Sequence, residues 1–130
     1  MEINLEVGIV NEKEFTVREE DTASFLGSGA VAVLSTPAMI MMMENTARLA
    51  VEDKLPEGYT TVGTRVDVAH LHPAPIGAKI RVFAKLIKQE GRKLVFTVEA
   101  YWGDKKIGEG THERYIVNRE KFLSKIRELR

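Results

Sequence analysis

The sequence predicts an α+β fold in which an antiparallel sheet wraps around one long central helix, and three observations carry that prediction. First, residues 35–54 are too densely apolar for a surface helix. Met39 to Met43 covers every face, so this helix has to be surrounded by a sheet or by a partner chain. Second, from Tyr59 onward the apolar period changes to two, through residues 60–71, 79–89, 94–102 and 107–117, each rich in Val, Ile, Thr and aromatics and bounded by turn residues. Third, Glu90-Gly91-Arg92 and Gly103-Asp104-Lys105 have hairpin length, which makes the strands they join antiparallel neighbours. A meander of four strands has one face to cover, and there is only one long apolar helix with which to cover it.

Composition narrows the class. The chain has 130 residues, enough for a single compact domain over residues 1–130 with a real core. Its 19 Lys and Arg balance 19 Asp and Glu, so there is no global field to attract nucleic acid or an anionic membrane, and any anionic ligand must be held locally. The absence of cysteine excludes disulfides, thiolate metal sites and a cysteine nucleophile, and fits a reducing compartment. The opening MEINLEVGIVNEKEF matches neither a secretory signal nor a membrane span, so the expectation is a soluble cytoplasmic protein.

Each element has its own signals. Residues 3–10 and 14–17 alternate like strands around the polar turn Asn11-Glu12-Lys13. Residues 21–26 suit one short helical turn, which Gly27-Ser28-Gly29 breaks ahead of the aliphatic residues 30–34. Thr36 followed by Pro37 is a helix start, with the threonine oxygen as cap and proline at the first helical position. Pro56-Glu57-Gly58 ends that helix near Lys54 or Leu55, and His72 to Gly77 forms a longer loop. Asn118 caps a last helix over residues 119–129, whose Phe122, Leu123, Ile126 and Leu129 form one apolar stripe for packing. The exposed sheet edges and the remaining helix surface call for at least a homodimer, with a tetramer as the larger option.

Within this frame Glu44 stands out, because an ionised carboxylate in an apolar helix is costly unless it is paired or used chemically. Thr36 precedes it by eight residues, Gly63 precedes His70 by seven, and the last strand carries Gly110-Thr111-His112-Glu113-Arg114. In this joint spacing, across nearly its whole length, the chain resembles the hotdog-fold acyl-CoA thioesterases, in particular the fluoroacetyl-CoA thioesterase-like family. The resemblance implies that Thr36, Glu44 and His70 form the catalytic set, that the Gly63 backbone lies against the thioester, and that Arg114 sits near the substrate channel. It further implies homodimers with active sites at the subunit interface and no requirement for a metal or other cofactor, coenzyme A being part of the substrate. One departure concerns the acyl group: residues 29–34 lack the bulky aromatic gate of the fluoroacetyl-specific members.

The residue types suit hydrolysis of a small or medium acyl-CoA. Glu44 can act as general base on water or attack directly, His70 can exchange protons near neutral pH, and helix N–H groups near Thr36 or the Gly63 N–H can meet the oxyanion. Thr36 and Glu44 lie about 12 Å apart along one helix, so a direct contact requires one copy's Thr36 to approach the other copy's Glu44. Plainer roles stand beside these. Thr36 also reads as a cap, Glu44 as the partner of Arg48, and His70 as a strand histidine with His72, on the same face, as its alternative. The methionine run reads as core that can also line an acyl pocket, and Arg114 as an ion-pair partner of Glu109 or Glu113. Arg65, Lys85, Arg92 and Lys93 are further cations able to meet coenzyme A phosphates. His70, His72, His112 and Glu44 match no metal-ligand spacing. Two rival functions share the fold: a non-catalytic acyl-CoA binding module and a 3-hydroxyacyl-CoA dehydratase.

Overall fold

The computed structural model describes residues 2–129. Its strands are β1 (Val10–Thr16), β2 (Tyr59–His70), β3 (Lys79–Glu90), β4 (Lys93–Trp102) and β5 (Lys105–Asn118), which form one antiparallel sheet in the order β1-β3-β4-β5-β2. The α-helices are a single turn α1 (Ala23–Leu26), the long α2 (Thr36–Glu52) and α3 (Arg119–Glu128).

The sheet buries one face against α2. Ile80, Val82, Ala84 and Leu86 of β3 and Leu94, Phe96, Val98 and Ala100 of β4 point inward at alternate positions, and all are at most 1% exposed. They meet Met39, Met42, Met43, Ala47 and Val51 of α2, each equally buried. Gly91 and Gly103 close the β3–β4 and β4–β5 hairpins with φ of 61°, a backbone conformation that the absence of a side chain permits.

The structure departs from the expected layout in five places. Asn11-Glu12-Lys13 is the middle of β1, paired with Ala84, Phe83 and Val82, and residues 3–8 lie outside any strand. β1 is an edge strand whose outward Glu12 and Glu14 approach Arg81 and Lys79 at 4.0 and 3.9 Å, so its charge serves cross-strand pairing and marks no turn. β2 pairs with β5, from Tyr59↔Asn118 to His70↔Gly108, and the four strands are not a simple meander. β3 already has β1 and β4 on its two sides, so the loop after β2 carries the chain across to it.

The cap of α2 is Ser35, whose hydroxyl accepts from the Ala38 N–H at 3.1 Å; Thr36 is the first helical residue. Nor is α2 enclosed on every side, since Met41 is 44% and Leu49 36% exposed within this one chain. Finally, α3 has the predicted Asn118 cap, with its side chain accepting from the Lys121 N–H, but buries none of its residues, and Phe122, Leu123 and Ile126 stay exposed.

The reassigned cap is testable by urea unfolding. Ser35→Ala should lower stability by about 1 kcal/mol, whereas Thr36→Ala, at an exposed position without a capping bond, should change it by less than about 0.5 kcal/mol.

Candidate active site

Ser35 takes the capping role, which leaves the Thr36 hydroxyl available at the mouth of a surface groove. It meets His70 Nδ1 at 2.8 Å, joining the first turn of α2 to the last residue of β2. The groove has a volume of about 290 Å³ and is lined by Val33, Leu34, Thr36, His70 and His72 among others. His70 Nε2 is buried and has no hydrogen-bond partner among the described residues. Burial lowers the His70 pKa below its ordinary 6.5, with a weaker opposing effect from the His72 backbone, so the imidazole is neutral near pH 7. β2 ends at His70, and exposed His72 belongs to the following loop, so strand alternation does not relate the two.

A second cluster forms further along the same two elements. Gly63, in β2, faces the side chain of Glu44. A Cβ built there would lie 2.7 Å from Glu44 Oε2, 3.3 Å from His112 Cε1 and 3.4 Å from Arg114 Nη1, so only glycine leaves this space open. Arg114 is 5% exposed and held on three sides. Its Nε donates to Thr61 Oγ1 at 2.7 Å, its Nη2 to the Thr61 carbonyl at 3.0 Å and its Nη1 to His112 Nε2 at 3.1 Å. Because a guanidinium only donates, His112 Nε2 must be the acceptor; the ring proton is then on Nδ1, which donates to the Arg65 carbonyl at 2.8 Å. Burial pushes the Arg114 pKa down and the Glu44 carboxylate opposes that shift. Burial likewise lowers His112, which stays neutral.

These contacts settle several alternatives. Arg48 bonds Glu52 at 3.3 Å instead of Glu44. Glu109 and Glu113 approach Lys106 and Lys93, at 2.9 and 4.0 Å, and the bonds drawn from Arg114 go to Thr61 and His112. Sequence reasoning placed His112 in the last-strand motif and weighed it as a metal ligand, but assigned it no role beside Arg114, and Thr61 was overlooked. The signal was available, because residues two apart in a strand share a face and His112 therefore accompanies Arg114.

The predicted residues thus form two groups. Thr36 and His70 are bonded at one end of the helix–strand contact, while Glu44, Gly63 and Arg114 gather at the other. Eight helical residues, about 12 Å, separate Thr36 from Glu44, and seven strand residues, about 23 Å, separate His70 from Gly63.

Comparison with known proteins bears on the family and the fold. Residues 17–120 match the model of the fluoroacetyl-CoA-specific thioesterase (FlK) family. The chain is 38% identical to a fluoroacetyl-CoA thioesterase of Streptantibioticus cattleyicolor over 96 residues, which cover 74% of this chain and 69% of that protein. Among solved structures, a variant of FlK in complex with fluoroacetate and CoA superposes with a TM-score of 0.86 at 33% identity, covering 91% of this chain and 99% of the other. A hot-dog-like protein from Thermanaerovibrio acidaminovorans gives 0.87 at 26% identity, with 94% and 90% covered. By family match, identity and fold, this chain belongs to the fluoroacetyl-CoA-specific thioesterase family, a group of thioester hydrolases with the hotdog fold.

Proposed function

We propose that the chain works as a homodimer that hydrolyses a small or medium acyl-CoA to the free acid and coenzyme A, at two sites that each combine Thr36 and His70 of one subunit with Glu44, Gly63 and Arg114 of the other. The observation that supports this most strongly is the division of the site into two halves offset along two antiparallel elements. A two-fold axis that brings Thr36 to the partner's Glu44 must pass beside the midpoint of residues 36 and 44, where half-buried Ile40 and 44%-exposed Met41 lie. An axis that brings His70 to the partner's Gly63 must pass between Val66 and Asp67, where Val66 is 38% exposed. Both midpoints fall on uncovered surface, and β2 ends the strand order with an edge to which a partner's β2 can pair.

The chemistry follows from this placement. Glu44 Oε2, beside the open space over Gly63, takes a proton from a water molecule as that water attacks the thioester carbonyl. The glycine allows the carbonyl close to the strand backbone, whose N–H groups are the nearest preorganised donors for the oxyanion. As the tetrahedral intermediate collapses, the carbon–sulfur bond breaks, and neutral His70, oriented by Thr36, relays to the departing thiolate the proton that Glu44 took from the water. Arg114, fixed by Thr61 and His112, keeps a positive charge near Glu44.

Free-thiol release from a panel of acyl-CoA esters, fluoroacetyl-CoA included, tests the reaction. Glu44→Gln should lose at least about a hundredfold in kcat with the oligomeric state unchanged; undiminished turnover would refute the assignment, and tight binding without release by the wild type would indicate a binding module. Subunit sharing has its own test. Neither a Thr36→Ala/His70→Ala variant nor Glu44→Gln should be active alone, whereas equal mixing and reassembly should restore about a quarter of the wild-type sites, since half the dimers are mixed and each holds one intact site. A site built within one chain would recover nothing. In the pH profile of kcat/KM, neutral His70 is the working form and burial lowers its pKa, so the acid limb should fall below pH 6.5 and should disappear from the residual activity of His70→Asn.

A further inference from the structure

The distal end of β2 carries a groove that the catalytic scheme does not use. It lies between Tyr59, the β3–β4 turn, the end of β5 and α3, has a volume of about 320 Å³, and is lined by the aromatic residues Tyr59, Tyr115 and Phe122 together with the cations Arg92, Lys121 and Lys125. None of its lining residues is acidic. The Arg92 guanidinium stands over the Tyr59 ring at 5.3 Å, and Lys121 and Lys125, four apart on α3, share a helix face beside Phe122. Hydrogen bonds with Asn118 and Arg92 hold the Tyr59 phenol below its usual pKa, and the charges of Arg92 and Lys121 act in the same direction, as a positive local field requires. Of the acids nearby, Glu52 is engaged by Arg48, Thr60 and Arg119, and Glu120, with Arg127, lines an adjoining hollow that shares Lys121 with this groove.

We propose that this groove receives the nucleotide end of coenzyme A, with the adenine against the Tyr59 and Phe122 rings and the phosphates against Lys121 and Lys125. The proposal rests on the thioesterase reading above and adds where the non-reacting half of its substrate is held. Three features favour this occupant. Flat rings interleaved with cations suit a base carrying phosphates, and suit neither a neutral apolar ligand nor a cation. The volume fits one base and its phosphates, not the whole cofactor. Tyr59 stands four residues from Gly63 on β2, about 13 Å, a separation that a pantetheine arm bridges between the nucleotide and the thioester. In a chain of zero net charge, such a local grouping is how an anionic ligand has to be held.

Because α3 buries no residue, Lys121→Glu/Lys125→Glu alters the groove without touching the core. Calorimetry with adenosine 3′,5′-bisphosphate should show binding to the wild type that weakens by at least about tenfold in this variant and with rising salt. In parallel, KM for an acyl-CoA should rise about tenfold with kcat unchanged, while KM for the same acyl group on pantetheine, which lacks the nucleotide, should not move. Equal nucleotide binding by both proteins, or an equal rise in KM for both thioesters, would overturn the proposal, as would a variant that changes only the oligomeric state. If the wild type releases no thiol from either ester, the thioesterase reading fails, and the nucleotide titration still decides whether the groove binds its ligand.

Discussion

The packing of α2 across the inner face of the sheet is the contact on which the other features depend. Met39, Met42, Met43, Ala47 and Val51 are at most 1% exposed, and the sheet backbone comes close enough that a Cβ at Gly108 would meet Met39 Sδ at 2.5 Å. Flexible thioether side chains fill the irregular space between helix and strands, and the bare glycine lets them approach. That contact sets the height and direction of the helix. Its first turn thereby reaches the last residue of β2, and its middle reaches Gly63, so both halves of the site follow from one apolar interface.

Electrostatics then finish what packing begins. A buried guanidinium is tolerated here because Thr61 and His112 supply acceptors for its donors and Glu44 supplies the opposing charge. His112 can serve as acceptor only while neutral, and burial together with the Arg65 carbonyl keeps its proton on Nδ1. Three residues from two strands thus hold a single charged group beside a carboxylate that the helix alone leaves without a partner.

The uncovered apolar residues have the same logic on the outside. Met41 and Leu49 on α2 and Val66 on the edge strand β2 are exposed in one chain. They are the surface left over when one sheet covers only one side of an apolar helix. The separation of Thr36 from Glu44 and this leftover surface are two consequences of one geometry, and the proposed homodimer resolves both.

Much of this was legible in the residues. Period-two alternation marked β2 to β5, the density of methionine and alanine marked the buried face of α2, and the threonine, glutamate, glycine and histidine spacing pointed to the right family. Local capping was misjudged by one residue, since Ser35 and Thr36 are equally good acceptors in sequence and only the turn geometry chooses between them. β1 was misread because charges on an edge strand look like a turn until their cross-strand partners are known. By itself, then, the sequence determined the types of the long helix, the last helix and the four later strands, together with the buried helix face, because these depend on local propensity and on the period of apolar residues. Only the tertiary structure decided that β2 lies beside β5, that Thr36 serves His70 and not its own helix, and that Arg114 is gripped by Thr61 and His112. Apart from His112 and Arg114, two apart on one strand, those outcomes depend on contacts between residues 34 to 59 positions apart, and no periodicity within a single element encodes them.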